Sequence, residues 1–211
     1  MTKKNIKFKE LIRFPDTVFE RATITPIEKM FISSIILTIR PKIIVETGVW
    51  KGKTTKFISD LLNLNSIHSK IYGFDFPNVI EDLIDSDSFF SKQENIHFIK
   101  GALPKSMNIW LEKNPDKKID FAIIDATHSF QAVREELLLI LPRISDNGYV
   151  FCHDYGDLGS KYESVMYAVN TIAKSMNFNV LPLHSKDAIS PEYFSQAAIL
   201  RRPTKYSFSR K

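Results

Sequence analysis

Glu46-Thr-Gly-Val-Trp-Lys-Gly-Lys-Thr-Thr55 is the stretch on which the reading of this 211-residue chain turns. The apolar run Ile43-Ile-Val45 precedes it and reads as a buried strand. Phe57, Ile58, Leu61 and Leu62 follow at the spacing of one helix face. A strand, a tight glycine turn and a helix N-terminus aim backbone N–H groups and the positive end of a helix dipole into a crevice. In open α/β sheets ligands bind there, outside the carboxyl ends of the strands. Two familiar phosphate cradles are excluded by spacing. Gly48 and Gly52 enclose three residues where a P-loop has four, and Trp50 stands where a dinucleotide fingerprint needs its second glycine. A plain glycine turn that binds nothing is the alternative.

Outward from this stretch, strand and helix patterns alternate. A helix is expected from Pro26 to about Arg40, with Pro26 in its first turn and Pro41 stopping it. Strands are expected at 43–47, 70–75, 96–100, 119–124 and 149–153, with Asn147-Gly148 as a turn ahead of the last. Helices are expected over about 52–63, 103–113, 129–143 and 161–176, and the segment 77–93 reads as partly helical at best. Two strands, 178–183 and 195–201, close the pattern. The expected fold class is α/β, a Rossmann-like, doubly wound and mostly parallel sheet with helices on both faces.

Length and composition point to one globular domain with a sizeable core, 16 Phe among its apolar residues. Apolar runs such as Phe31 to Ile39 fall short of the ~20 residues that span a bilayer, and the N-terminal stretch lacks the apolar core of a signal peptide. A single cysteine, Cys152, rules out an internal disulfide and reads as a buried core thiol, so a cytoplasmic location is expected. The net charge of +5 sits in the ends: four lysines in residues 1–9 and five basic residues in 201–211, with no acid in either. Solvated tails are favoured over a nucleic-acid contact there.

If strands one to five are parallel, their carboxyl ends share one rim. That rim collects Glu46 to Gly52, Asp75, Gly101-Ala102, Asp125 with His128, and His153-Asp154. Asp75 either receives ligand hydroxyls or opens the turn Asp75-Phe-Pro77. Asp125 ends an apolar strand, and His128 returns to the same crevice, as a general base would. Alternatively Asp125, Thr127 or Ser129 caps the next helix. Asp125, His153 and Asp154 make an oxygen-rich set suited to Mg²⁺ or Mn²⁺, or else a turn with a solvent-facing histidine. His68, His97 and His184 have bland placements, Trp110 reads as helix packing, and Trp50 stays open between packing and the crevice.

Three ordered motifs, within about residues 40–157, together resemble class I S-adenosylmethionine-dependent methyltransferases. They are similar to the branch of macrocin O-methyltransferase, the cephalosporin hydroxylase-like proteins and related sugar O-methyltransferases. Ile43 to Thr54 looks like the cofactor loop of that branch. Ile119-Asp-Phe-Ala-Ile-Ile-Asp-Ala-Thr-His-Ser-Phe130 looks like its Asp-to-His segment, and Asn147-Gly-Tyr-Val-Phe-Cys-His-Asp-Tyr155 like its strand ending in an acidic pair. The resemblance implies a seven-stranded sheet with the last strand antiparallel. It implies S-adenosylmethionine as cofactor, held by Glu46, Thr47, Gly48, Gly52, Thr54, Asp75, Gly101, Ala102 and Asp125. Glu46 would accept from the ligand's ammonium, Asp75 from its ribose hydroxyls, and Gly101-Ala102 would let the adenine lie close to the backbone.

The same resemblance makes His128 the general base beside Asp125, with Asp125, His153 and Asp154 as candidate metal ligands. His153 departs from the family pattern, which places a carboxylate there in metal-binding members. The expected reaction is O-methylation of a small hydroxylated acceptor, a sugar or glycosylated natural product. Its rivals are a nucleic-acid or protein methyltransferase and a cofactor-binding partner protein without chemistry. Residues 1–25, with Phe8, Leu11, Ile12, Phe14 and Phe19, are expected to form a lid or a homodimer contact. Residues 26–203 are expected to form the catalytic domain and 204–211 a basic tail.

Overall fold

The computed structural model describes residues 13–18, 24–156, 163–185 and 195–203. Most of the N-terminal segment and all of the tail 204–211 lie outside these, so the lid, dimer and tail expectations do too. The described part of that segment, a short 3-10 turn Asp16–Val18, packs with Val18 buried beside α1 (Pro26–Ile39) and α2 (Lys53–Leu64). Lys29 Nζ donates to the Thr17 carbonyl at 2.7 Å and closes this corner.

Seven strands form one sheet: β1 (Ile43–Thr47), β2 (Lys70–Asp75), β3 (Ile96–Lys100), β4 (Ile119–Ile124), β5 (Ile144–Cys152), β6 (Asn179–Ser185) and β7 (Ser195–Arg201). Their order is β3-β2-β1-β4-β5-β7-β6. The first five pair in parallel, and β7 runs antiparallel between β5 and β6. The doubly wound expectation holds, with the chain reversing its direction of winding between β1 and β4. Such a switch point leaves a crevice at the carboxyl ends of the strands.

Two cores sandwich the sheet. One face packs against α1 and α2, with Leu83 of α3 (Pro77–Ser86) and Phe90 of α4 (Ser88–Ser91). The other packs against α5 (Lys105–Lys113), α6 (Phe130–Ile140) and α7 (Glu163–Ser175). No helix among the described residues is long and apolar enough to cross a membrane.

Two local expectations are corrected. The segment 77–93 is two helices: Pro77 starts α3, Asp87 accepts from the Phe89 N–H to start α4, and Ile80, Leu83 and Phe90 are buried beneath them. Asn147-Gly148 is no turn ahead of a strand. It lies inside β5, where the ladder jumps from Ile119↔Ile144 to Phe121↔Tyr149 and the residues between bulge out. A Cβ on Gly148 would sit 3.0 Å from the Asp120 carbonyl oxygen, so glycine serves close approach here, and Asn147 is not left-handed.

Candidate functional site

The parallel ladder continues past the strands and stitches the rim together. Gly48 N–H donates to Phe74 O at 2.9 Å, Asp125 N–H to Thr47 O at 3.0 Å, Gly101 N–H to Asp75 O at 2.9 Å and His153 N–H to Ile124 O at 3.0 Å. Gly48 adopts φ +80°, and a Cβ there would lie 2.3 Å from the Asp125 carbonyl oxygen. Only glycine lets the β1 turn lie this close to the end of β4. Gly52 starts α2 at φ +66° without a side-chain cap, its missing Cβ making room for the Phe90 ring.

The turn's amides do not all face a ligand, which corrects the simplest expectation. The Val49 and Trp50 N–H groups both donate to Asp75 Oδ2 at 2.9 Å, and Phe76 N–H donates to Asp75 Oδ1 at 2.7 Å. Asp75 thus braces the glycine turn. A carboxylate offers about four acceptor sites, so it retains capacity for about one ligand hydroxyl rather than two.

Above the rim lies a crevice of ≈ 860 Å³, within the range of small-molecule sites. Gly48, Thr54, Asp75, Gly101, Asp125, His128, His153 and Asp154 line it, as does Trp50, a residue 56 % exposed. Glu46, Thr47, Gly52 and Ala102 do not. Glu46 is only 1 % exposed and accepts from Thr55 Oγ1 at 2.5 Å, tying β1 to the start of α2. Burial pushes its carboxyl up to about 8, against the pull of the Thr55 hydroxyl.

At the β4 and β5 ends two carboxylates and two imidazoles interlock. His128 Nε2 lies 2.9 Å from Asp154 Oδ2 and 3.7 Å from Asp125 Oδ1. His153 Nδ1 lies 3.0 Å from Asp125 Oδ1 and 3.3 Å from Asp154 Oδ2. Asp154 holds a left-handed φ of 54°, unusual for a non-glycine residue and a way to aim its carboxylate back at the crevice. Hydrogen bonds to Asp125 and then Asp154 push His128 up to about 9. Burial alone would raise both carboxyls, but the hydrogen bonds from His128 and His153 outweigh it and hold them below the usual range. His153 is buried, which disfavours its charge, yet its carboxylate partners raise it well above the usual histidine value. Ser129 accepts from Ala132 N–H and caps α6, so the cap competing with Asp125 and His128 is supplied separately.

Three atoms of this cluster, one each from Asp125, His128 and Asp154, lie within 4.8 Å of one another and suit a divalent cation. His153, also expected among the ligands, keeps Nδ1 on Asp125 and Asp154 and has Nε2 toward Glu28 Oε2 at 3.6 Å.

A family model described as a methyltransferase domain matches residues 45–155. The chain belongs to this methyltransferase family. The match takes in every rim residue just described. Solved structures of the same fold include an O-methyltransferase from Bacillus cereus in complex with S-adenosylhomocysteine. It is 13 % identical with a TM-score of 0.69, over 92 % of this chain and 94 % of that one. A Podospora anserina methyltransferase bound to the same product is 14 % identical with a TM-score of 0.62, over 91 % and 83 % of the two chains. The TDP-rhamnose 3′-O-methyltransferase of calicheamicin biosynthesis is 19 % identical with a TM-score of 0.60, over 83 % and 77 %. No curated protein matches the sequence.

Two site residues of this methyltransferase were not legible in its sequence. Glu28 on α1 is fully buried against His153. Its only sequence signal is the capping box Thr25-Pro-Ile-Glu28, which announces a helix start and nothing about a site. Glu136 on α6 is buried under the rim beside Thr47, and burial pushes it up to about 7. Its Oε2 has no hydrogen-bond partner among the described residues. It reads in sequence as one more polar position on an amphipathic helix.

Proposed function

We propose that this methyltransferase transfers the methyl of S-adenosylmethionine to a hydroxyl of a small acceptor, a sugar or glycosylated natural product. The observation that carries the reading is one crevice shared by the glycine turn and the cluster Asp125, His128 and Asp154. The residues fit the cofactor chemically. The uncapped start of α2 offers positive potential to a carboxylate. Asp75 retains an acceptor for a hydroxyl, and Gly48 and Gly101 leave a floor free of side chains. Glu46 and Thr47 serve from beneath that floor, Glu46 by anchoring α2 through Thr55. The names of the Bacillus cereus and calicheamicin enzymes support oxygen as the acceptor atom, and the latter supports a sugar.

When bound, S-adenosylmethionine supplies an activated methyl on a sulfonium, so the protein's share is alignment and removal of one proton. His128 takes the acceptor proton at Nδ1, the ring nitrogen that does not face Asp154. Asp125 and Asp154, which already favour the charged imidazole, stabilise the imidazolium as it forms. The test is calorimetric titration of cofactor-stripped protein with S-adenosylhomocysteine. It is followed by product release from labelled S-adenosylmethionine with a panel of nucleotide sugars and glycosides. One saturable site per chain and turnover that His128→Ala lowers by roughly 10²-fold or more support the reading. Absence of binding removes it.

A second reading rests on the 4.8 Å cluster. A divalent cation held by Asp125, His128 and Asp154 would acidify the acceptor hydroxyl, and His128 would then be a ligand rather than the base. Titration with Mn²⁺ followed by electron paramagnetic resonance separates the two. Stoichiometric binding lost in Asp125→Asn establishes the cation site, and no binding leaves His128 as base.

A further inference from the structure

Glu28 approaches the cluster from α1, behind the strand ends that supply the other groups. Its carboxylate is 0 % exposed. Oε2 accepts from Thr25 N–H at 2.8 Å and Thr25 Oγ1 at 3.0 Å, and Oε1 accepts from the Gln196 N–H of β7 at 3.2 Å. Oε2 also faces His153 Nε2 at 3.6 Å. A capping-box glutamate has only to close its own helix, which an exposed carboxylate does equally well. Burying the charge is costly unless it is compensated, and here the compensation joins three elements. An unbroken series of contacts runs from Glu28 to His153, from His153 to Asp125 and Asp154, and from these to His128.

We propose that Glu28 is a positioning residue for the methyl-transfer site, acting through His153 to set where Asp125 and Asp154 stand against His128. With a carboxylate facing each ring nitrogen, the His153 ring cannot turn over without presenting carbon to both sides. Nδ1 is therefore kept on Asp125 and Asp154. The same carboxylate closes α1 and holds β7, so the first helix is set in place against the cluster. Glu28 lies ahead of the segment 45–155 that the methyltransferase model matches, and this support belongs to the chain's own N-terminal helix. The role of His128 as base comes from the proposed function, but the placement of its ring is measurable without turnover.

The experiment compares imidazole ¹H–¹⁵N spectra and thermal unfolding for the unaltered protein, Glu28→Gln, Thr25→Ala, His153→Gln and the Glu28→Gln/His153→Gln double variant. Glu28→Gln replaces one accepting oxygen with a donor, so it should lower the unfolding temperature and also shift the ring signals of both His153 and His128 by more than a linewidth. In the His153→Gln background it should move His128 no further. Thr25→Ala should lower the unfolding temperature and leave His128 in place. If Glu28→Gln lowers the unfolding temperature and leaves His128 unmoved, Glu28 is a helix cap only. If it moves His128 equally without His153, the route is wrong. Should Glu28→Gln not fold, Glu28→Asp keeps the charge and draws it one methylene back from His153. Unmoved His128 signals in that variant overturn the proposal as well. Failed S-adenosylhomocysteine binding, by contrast, would count against the cofactor reading and leave this contact series standing.

Discussion

A histidine set between two carboxylates holds its proton strongly. His128, pushed up to about 9, is mostly protonated at neutral pH, and only its neutral form takes a proton. Methyl transfer should therefore climb about tenfold per pH unit below that value and level off above it. Asp125→Asn, which removes one partner, should slide the climb to lower pH. Product release measured from pH 6 to 10 checks this, and a flat profile takes His128 out of the role. Glu46 gives a second residue-scale test. Its carboxyl is raised from 4.5 to about 8, chiefly by burial. The unfolded chain thus ionises it while the folded one keeps it protonated. The favourable contribution is complete below about pH 4.5 and is lost as pH rises through about 8. Glu46→Gln keeps an acceptor for Thr55 and has nothing to ionise. Urea midpoints should fall less with pH over that window in the variant than in the unaltered protein. Asp125, His128, His153 and Asp154 were readable as one group because parallel strands share a rim. Glu28 and Glu136 were not, because long-range packing decides their burial, and an acid on an amphipathic helix carries no mark of it.

At the scale of elements, the strands were readable to within a residue or two wherever apolar runs met turn residues. Departures came where two local rules competed. Pro77 and Asp87 each start a helix in an acidic segment that read as partly helical at best, and buried Leu83 and Phe90 anchor the two helices. Asn147-Gly148 carries a turn signature, but strand pairing on both sides of it absorbs the pair as a bulge in β5. The β1 turn is the most constrained connection. Gly48→Ala would combine a left-handed backbone with a Cβ 2.3 Å from a carbonyl oxygen. Strain and overlap together should cost about 3 kcal/mol or more. Urea unfolding measures this, and a loss under about 1 kcal/mol would mean that the turn relaxes away from Asp125.

Over the whole molecule, the sheet order places its reversal between β1 and β4, and the crevice lies over that junction. The fold class was legible because strand and helix patterns alternated as far as the sixth strand, with a last strand beyond it. The insertion of β7 between β5 and β6 was not, since sequence order does not say between which strands a last strand settles. A ligand spanning the ends of several strands should stabilise them as one unit. S-adenosylhomocysteine at a hundred times its dissociation constant should add about 2.7 kcal/mol. For a domain of this size that raises the unfolding temperature by roughly 5–10 °C. Differential scanning calorimetry reads the shift, and an unchanged midpoint at saturation would deny the crevice this ligand.

The stitched rim also bears on how such a chain diversifies. Gly48, Gly101, Asp125 and His153 each donate a backbone hydrogen bond to the neighbouring strand end. Inserting or deleting one residue at any of these junctions would pull the adjoining one out of line. These bonds are made by the backbone, so a change of side chain can leave them in place where the turn admits a Cβ, whereas a change of length cannot. Descendants of this sequence should vary at the rim by substitution and keep their insertions beyond it. Anyone splicing this crevice into a relative would have to move the ends of β1, β2, β3, β4 and β5 as a single block.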